Sequence, residues 1–390
     1  MERTDVAVIG GGIIGCAAAA MLATRGAAVT LIEATEIGAG ASGRNLGAIQ
    51  HPFDDALTPL YRESLERYRA LADGSEGAFM LPDDPAGLLL VTRDPDAAAR
   101  QAERMSAAVP ELDPELVNAD ALARLEPSLA RGLSAVRLAT GYPIPPAAAT
   151  DAWAGLAHAR GARLLVGMPA TLIVGGGAVL GVRLEDGSRI AADRVLVAAG
   201  PWTPRLVDPA GTWQPIVRTW GVTLQLALGE AAPRHVVEED EVDAVNRAAA
   251  ATRRAEALAG AEDAPSLVSM ASAAGRSTLG STFLPIEPDP ARIEPLLLQR
   301  AAAFLPAIAD AQVTGRRLCA RPQSVDGRPF IGPMPGIEGL HVCAGHGPWG
   351  ISTGPASAAL AARAILDGTA PPQELDAARR LALPDVQSAQ

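Results

Sequence analysis

The sequence contains no lysine: all 33 of its basic residues are arginine. That excludes Schiff-base catalysis by lysine and a P-loop phosphate lysine. Cysteine is scarce. Cys16, Cys319 and Cys343 are an odd number at wide spacing, which fits a reducing compartment without a disulfide framework and gives no pair with zinc-ligand spacing, so no metal site is expected. Aromatic residues are only 3%, so aliphatic side chains and alanine must fill the core. Basic charge is in deficit, 33 residues against 44 acidic, and a net charge of −11 argues against a nucleic-acid binder. Long apolar runs are missing too. The stretch 6–23 is cut by Gly10, Gly11, Gly12 and Gly15, so it reads neither as a membrane span nor as a signal peptide, and a cytoplasmic protein is expected.

The chain of 390 residues is 48% hydrophobic and 20% charged, enough to bury a large core in two or three domains. Residues 5–9 read as a buried strand, 13–25 as an alanine-rich helix ended by Gly26, and 28–33 as a second strand. That is the strand–helix–strand unit of a parallel sheet. A Gly/Ser-rich loop follows at 38–47, a helix at 56–73, and a charged helical stretch at 94–131, broken by Pro110, Pro114 and Pro127, that reads as a surface layer. Another helix covers 147–160. Strands alternate at 163–166, 170–174, 178–184 and 189–198, with a long strand at 215–228. The acidic run Glu238-Glu239-Asp240-Glu241, followed by an alanine-rich helix to 265, reads as a solvated face without function. Strands near 266–283, a helix at 290–304, short strands at 316–345, a last helix at 351–366 and an irregular tail complete the pass.

The first chemical motif is Gly10-Gly11-Gly12-Ile13-Ile14-Gly15, between a strand and a helix. Its glycines allow a tight turn and bring a pyrophosphate close to the helix N-terminus, where free N–H groups favour negative charge. Glu33, with Ala34 after it, ends the second strand, where a carboxylate accepts hydrogen bonds from ribose hydroxyls and repels a 2′-phosphate. The motif alone does not separate FAD from NAD.

The following segments do. Gly40-Ala41-Ser42-Gly43-Arg44-Asn45-Leu46-Gly47 resembles the second flavin-contact segment of the D-amino-acid oxidase/glycine oxidase (DAO) superfamily of FAD enzymes. Further matches are Val195 to Trp202, Ser277 to Thr282, Cys319 to Pro333 and Leu340 to Gly347 with the helix after it, so the resemblance runs along nearly the whole chain. It implies that Ser42 and Arg44 contact the pyrophosphate, although loop composition alone leaves Arg44 a surface arginine. It also implies that the Asn45–Gly47 backbone approaches the isoalloxazine ring, and that Ala170, Ala199, Gly200 and Trp202 belong to the flavin contacts. Gly345, Gly347, Pro348, Gly350, Ile351 and Ser352 would present backbone N–H groups and a helix N-terminus to the flavin N1/C2=O edge. Arg321 would fork onto a substrate carboxylate, the alternative being a structural salt bridge. His51 and Trp349 are further candidates for the substrate face.

Three departures leave substrate and electron acceptor open. Residues 213–285 contain no tyrosine, and the nearest is Tyr142; Pro348-Trp349 stands where glycine oxidase has a basic residue; and the oxygen-activating lysine of monomeric sarcosine oxidase has no counterpart. Cys319, seven residues before Asp326, sits at the offset of that enzyme's flavin-linked cysteine, against the simpler reading of a small buried residue.

The expected architecture is α/β: a Rossmann-like FAD-binding domain with a parallel sheet (1–82, 147–212 and 316–370), a mixed-sheet α+β substrate domain (83–146 and 213–315) and a tail (371–390). The resemblance implies oxidation of the C–N bond of an amino acid or secondary amine to an imine, with O₂ or a redox partner as acceptor. A flavin subunit of a heteromeric dehydrogenase and a flavin-binding protein without turnover are the alternatives. No protein general base is evident in the sequence.

Overall fold

The structure, a computed structural model, describes residues 2–75, 77–240 and 266–381. Two eight-stranded sheets organise them. The first is built around β1 (Glu2–Ile9), whose last four residues are buried, and β2 (Val29–Glu33), joined through α1 (Ile13–Thr24). β1 pairs in parallel with β2 and with β11 (Arg189–Val197). β8 (Arg163–Val166) extends the parallel set beyond β2, and β18 (Leu340–Ala344) extends it beyond β11. β17 (Phe330–Pro333) adds an antiparallel edge, while β9 (Ala170–Gly175) and β10 (Ala178–Leu184) branch antiparallel from β11. Helices α1, α3 (Thr58–Gly74), α6 (Ala148–Ala159) and α9 (Gly350–Asp367) share one core that includes Val8, Leu31, Ala17, Tyr68, Trp153 and Ala358. Alanines on α1 and α9 let these helices approach closely, which is how so few aromatics suffice. Ile32, Val182, Val195 and Phe330 form the core of the opposite face.

The second sheet runs β16-β12-β15-β14-β13-β4-β6-β5. Its members are β4 (Leu88–Thr92), β5 (Glu115–Val117), β6 (Ser134–Leu138), β12 (Ile216–Ala227), β13 (Val236–Glu239), β14 (Ser266–Ala273), β15 (Arg276–Thr282) and β16 (Gln312–Ser324). Only the β13–β4 pair is parallel. Ile293 and Leu297 of α8 (Pro290–Ala302) and Leu122 of α5 (Ala119–Leu125) pack on one face with Val237 and Leu279. Met105 of α4 (Pro95–Ala108) packs on the other with Leu88, Leu90 and Val236, where Leu46 and Ala48 from the first unit also arrive. β3 (Ala48–Ile49) and β7 (Tyr142–Pro143) form a two-stranded bridge, and α2 (Ala41–Arg44) and α7 (Thr203–Val207) are short.

Several expectations change. β16 pairs with β12 along its length, so residues 316–324 belong to the second sheet rather than the first. The broken stretch 94–131 is not all helical, because β5 pairs with β6 between α4 and α5. The 38–47 loop contains the one-turn helix α2. Part of the tail is docked: Arg379 lies 3.6 Å from the Phe330 ring centroid and pairs with Asp326 at 2.8 Å. The largest change concerns the acidic run. Glu238 and Glu239 are 4% and 9% exposed, inside a strand flanked by β14 and β4. The alternation of a strand sends Glu239 to one face, where Arg300 of α8 pairs with it at 2.8 Å, and Glu238 to the other. The alanine-rich helix expected after it, at 241–265, lies outside the described residues.

Candidate active site

A cavity of about 1010 Å³ opens beyond the C-terminal ends of β1 and β2 and extends to the second sheet. It begins at the glycine turn. An added Cβ at Gly10 would lie 2.5 Å from the Ala198 carbonyl oxygen, and one at Gly15 would lie 1.9 Å from that of Gly10. Glycine is therefore required for the strand, turn and helix to close on one another. Gly12, Ile13 and Ile14 line the cavity at the N-terminus of α1, which no side chain of its own cap residue satisfies. Ser42 supplies an acceptor instead: its Oγ takes the Ile13 N–H at 3.0 Å. The Glu33 carboxylate accepts from the Gly11 N–H at 2.7 Å and the Thr35 N–H at 2.9 Å, and lines the cavity beside Ala34.

The loop after α2 is held by Asn45, whose Oδ1 accepts from the Gly47 N–H at 2.7 Å and whose Nδ2 donates to the Ser42 carbonyl at 2.6 Å. Arg44 lines the cavity and donates to the Leu318 carbonyl on β16 at 3.1 Å, tying the loop to the second sheet. Leu46, Ala170, Ala199, Gly200 and Trp202 line the same cavity. So do Gly347, Pro348, Trp349, Gly350, Ile351 and Ser352, at the start of α9. That helix end is anchored from two sides: Tyr68 donates to the Ile351 carbonyl at 2.7 Å, and the Gln50 N–H donates to Ser352 Oγ at 3.0 Å. Gly15, Gly43, Gly47 and Gly345 do not line the cavity and shape the backbone around it.

These residues fit a flavin dinucleotide. The glycine cradle has no room for side chains, two helix N-termini face the cavity, and His346 is 1% exposed with both ring nitrogens lacking a hydrogen-bond partner. Orphaned buried nitrogens of this kind call for a polar ligand. Burial pushes the His346 ring down to about 3, so it is neutral near pH 7. Among the described residues no cluster of metal-ligating side chains exists.

At the other end lies Arg321. Its side chain crosses β12 above Gly221, where an added Cβ would meet the guanidinium at 2.5 Å. It donates to the Thr282 carbonyl at 2.8 Å and to Ser281 Oγ, and its Cζ stands 4.8 Å from the Phe283 ring centroid. It forms no salt bridge with the described residues, although burial lowers its pKa. A cation kept in a cavity wall on neutral partners is suited to an anionic ligand. Cys319, two residues before it on β16, is buried and lines the cavity. Burial raises its thiol pKa, although Arg321, Arg317 and Arg44 pull it down.

His51 does not line the cavity. Its Nδ1 accepts from the Phe53 N–H at 3.1 Å, its Nε2 lies 3.1 Å from Thr58 Oγ1, and its ring stacks edge-on against Tyr61. Extended backbone turns neighbouring side chains to opposite sides, and it is Gln50 that faces the cavity. Tyr142 is buried and absent from the cavity wall as well. Sequence reasoning missed Gln50, Thr223, Glu238, Ser269, Ser281 and Phe283, all of which line it. Ser281 falls within the matched segment Ser277 to Thr282, but no motif marks the others; the pairing order of the second sheet brings them together, apart from Gln50, which follows β3. No helix of the described residues is long and apolar enough to cross a membrane.

The family model described as FAD dependent oxidoreductase (DAO) matches residues 5–364. The chain is 30% identical over 388 residues to the glycine oxidase of Pseudomonas aeruginosa PAO1, covering 92% of this chain and 93% of that protein. Over 287 residues it is 32% identical to a D-amino acid dehydrogenase of Cereibacter sphaeroides, covering 71% of this chain and 59% of that one. The glycine oxidase structure from Bacillus cereus superposes with a TM-score of 0.77 at 23% identity, covering 94% and 96% of the two chains, a likeness of fold.

Proposed function

The chain belongs to the DAO family of FAD-dependent oxidoreductases, and from that premise we propose that it oxidises the C–N bond of an amino acid or secondary amine to an imine. The observation that carries the reading is Arg321, a guanidinium in the cavity wall with neutral partners and no salt bridge to the described residues. A bound flavin would supply the acceptor for the hydride of the carbon α to nitrogen. The chain's own residues bind and orient. The glycine turn and the α1 N-terminus would hold the pyrophosphate, with Ser42 and Arg44 beside them, and Glu33 would accept from the ribose hydroxyls. The α9 N-terminus, Gly350 to Ser352, would offer its backbone N–H groups and positive helix end to the flavin ring. Arg321 takes the substrate carboxylate in a two-point contact, and Trp349 closes the substrate side. Water hydrolyses the imine after release.

The flavin is held without a covalent bond. Attack by Cys319 needs a thiolate, and burial opposes its formation. The acceptor is O₂ or a redox partner, and the absence of lysine in the whole chain favours the partner. Incubation of the FAD-loaded protein with glycine, sarcosine, proline and D-amino acids, under air and with a dye acceptor, tests both points. Oxo-acid or aldehyde product with a dye alone supports a dehydrogenase, and oxygen uptake supports an oxidase. No product with either acceptor overturns the amine-oxidising reading.

A further inference from the structure

A second ionisable group reaches the substrate end of the cavity. Glu238 lies on β13, is 4% exposed and lines the cavity. Its Oε1 accepts from Gln50 Nε2 at 3.2 Å, and Gln50 is itself held at the α9 N-terminus through its backbone N–H on Ser352 Oγ. This carboxylate is thus tied to the flavin side of the cavity, although it stands on the second sheet.

The strand pairing sets where it stands relative to Arg321. Glu238 pairs with Ser269 on β14, and Ser269 pairs with Gly280 on β15, next to the Ser281 that Arg321 contacts. The guanidinium has already crossed β12 to reach β15. Two strand spacings, roughly 10 Å of backbone, therefore separate the Arg321 anchor from the strand of Glu238. Both groups line the same cavity, so one small molecule can meet the guanidinium with an anionic end and the carboxylate with a cationic end. Ser269, between the two, lines the same wall.

Resting on the amine-oxidising reading above, we propose that Glu238 is the receptor for the substrate's nitrogen. It binds the ammonium group of a zwitterionic amino acid while Arg321 binds its carboxylate, and it takes the ammonium proton. An N–H bond breaks, an O–H bond forms on the carboxylate, and the electron pair remains on nitrogen, which must be neutral before hydride can leave the neighbouring carbon. No oxidant or reductant enters this step. The wall thus selects zwitterions, anion at one end and cation at the other.

The test uses the FAD-loaded full chain and two readouts, anaerobic bleaching of the flavin by amino acids and the shift in flavin absorbance on binding simple carboxylates such as acetate and propionate. Glu238→Gln is expected to slow bleaching by amino acids roughly 10- to 100-fold and to leave carboxylate binding unchanged or tighter, since a like charge is removed. Arg321→Met is expected to abolish carboxylate binding. Glu238→Asp keeps the charge on a shorter stem, is expected to bleach faster than the glutamine variant, and carries the test if that variant fails to hold FAD. Bleaching by the glutamine variant at the rate of the parent protein overturns the proposal. So does an equal loss of acetate binding, which would mark Glu238 as structural, or equal rates in the aspartate and glutamine variants. If the parent protein is bleached by no amine or amino acid at all, the amine-oxidising reading fails first.

Discussion

The two ends of the cavity are built on opposite plans. The dinucleotide end is made by consecutive residues, with Gly10, Gly12, Glu33, Ser42 and Arg44 falling within one strand–helix–strand unit and its following loop. It works through backbone: close approach, helix ends and N–H groups. The substrate end is made by side chains from strands distant in sequence, Glu238, Ser269, Ser281 and Arg321, brought together by the register of the second sheet, with Gln50 arriving from the segment after β3. Damage at the first end should remove the cofactor, and the fold with it where the backbone itself is disturbed. Damage at the second should change which molecule is oxidised and leave the flavoprotein intact.

The largest expected effect is at the backbone end. Gly15→Val forces side-chain atoms into the Gly10 carbonyl, 1.9 Å from where a Cβ would stand. The cost exceeds the usual overpacking penalty of about 1–3 kcal/mol, so a large fall in Tm and loss of yellow colour are expected; a stable, fully loaded variant would break the comparison. Next is Glu33→Arg, which puts a bulky donor where a carboxylate accepts from Gly11 and Thr35. FAD affinity measured by titration should fall roughly 100-fold with the fold retained. An equal fall in Tm would show that Glu33 acts only on the backbone.

At the other end, Arg321→Met should lower kcat/KM for an amino acid roughly 10- to 100-fold, with a much smaller loss on the matching amine that lacks the carboxylate. Arg321→Lys keeps the charge without the planar fork and should fall between. Equal losses on both substrates, or loss of FAD, would move Arg321 into a structural role. His51 belongs to neither end. Burial lowers its ring to about 4 from 6.5. Between those values the unfolded chain takes up a proton that the folded chain refuses, so the stability at stake is full above pH 6.5 and is lost as pH falls toward 4. His51→Gln should flatten the loss of stability across that window in urea titrations while leaving the kcat pH profile unchanged. The smallest effect is at Cys319: acid precipitation should release the flavin to the supernatant, and Cys319→Ser should not alter that. Colour retained in the pellet and lost in the serine variant would establish a thioether.

The same contrast decides what could be read from the sequence. The glycine turn, Glu33 and the Ser42–Gly47 loop were legible because their chemistry is local and fixed by spacing. The place of Arg321 in the cavity wall was legible because its neighbours along β16 carry the family's pattern. Glu238 was not. Val236-Val237-Glu238-Glu239 is acidic by composition, and its burial comes from β4 and β14, which pair with it from 148 positions upstream and from the strand that follows. The expectation that His51 lines the substrate face missed by a single residue: in extended chain one step reverses the face presented to the cavity, and Gln50 takes that place. The β16 boundary shifted for a related reason, since a strand's sheet is set by its partner, here β12, and not by its own composition.

The most direct test of the central claim is anaerobic bleaching of the FAD-reconstituted protein by a matched set of glycine, sarcosine, proline and D-amino acids, each beside its decarboxylated amine. Bleaching by at least one amino acid, faster than by its amine, is the result expected from a wall that carries Arg321. A yellow protein that no member of the set bleaches would contradict it.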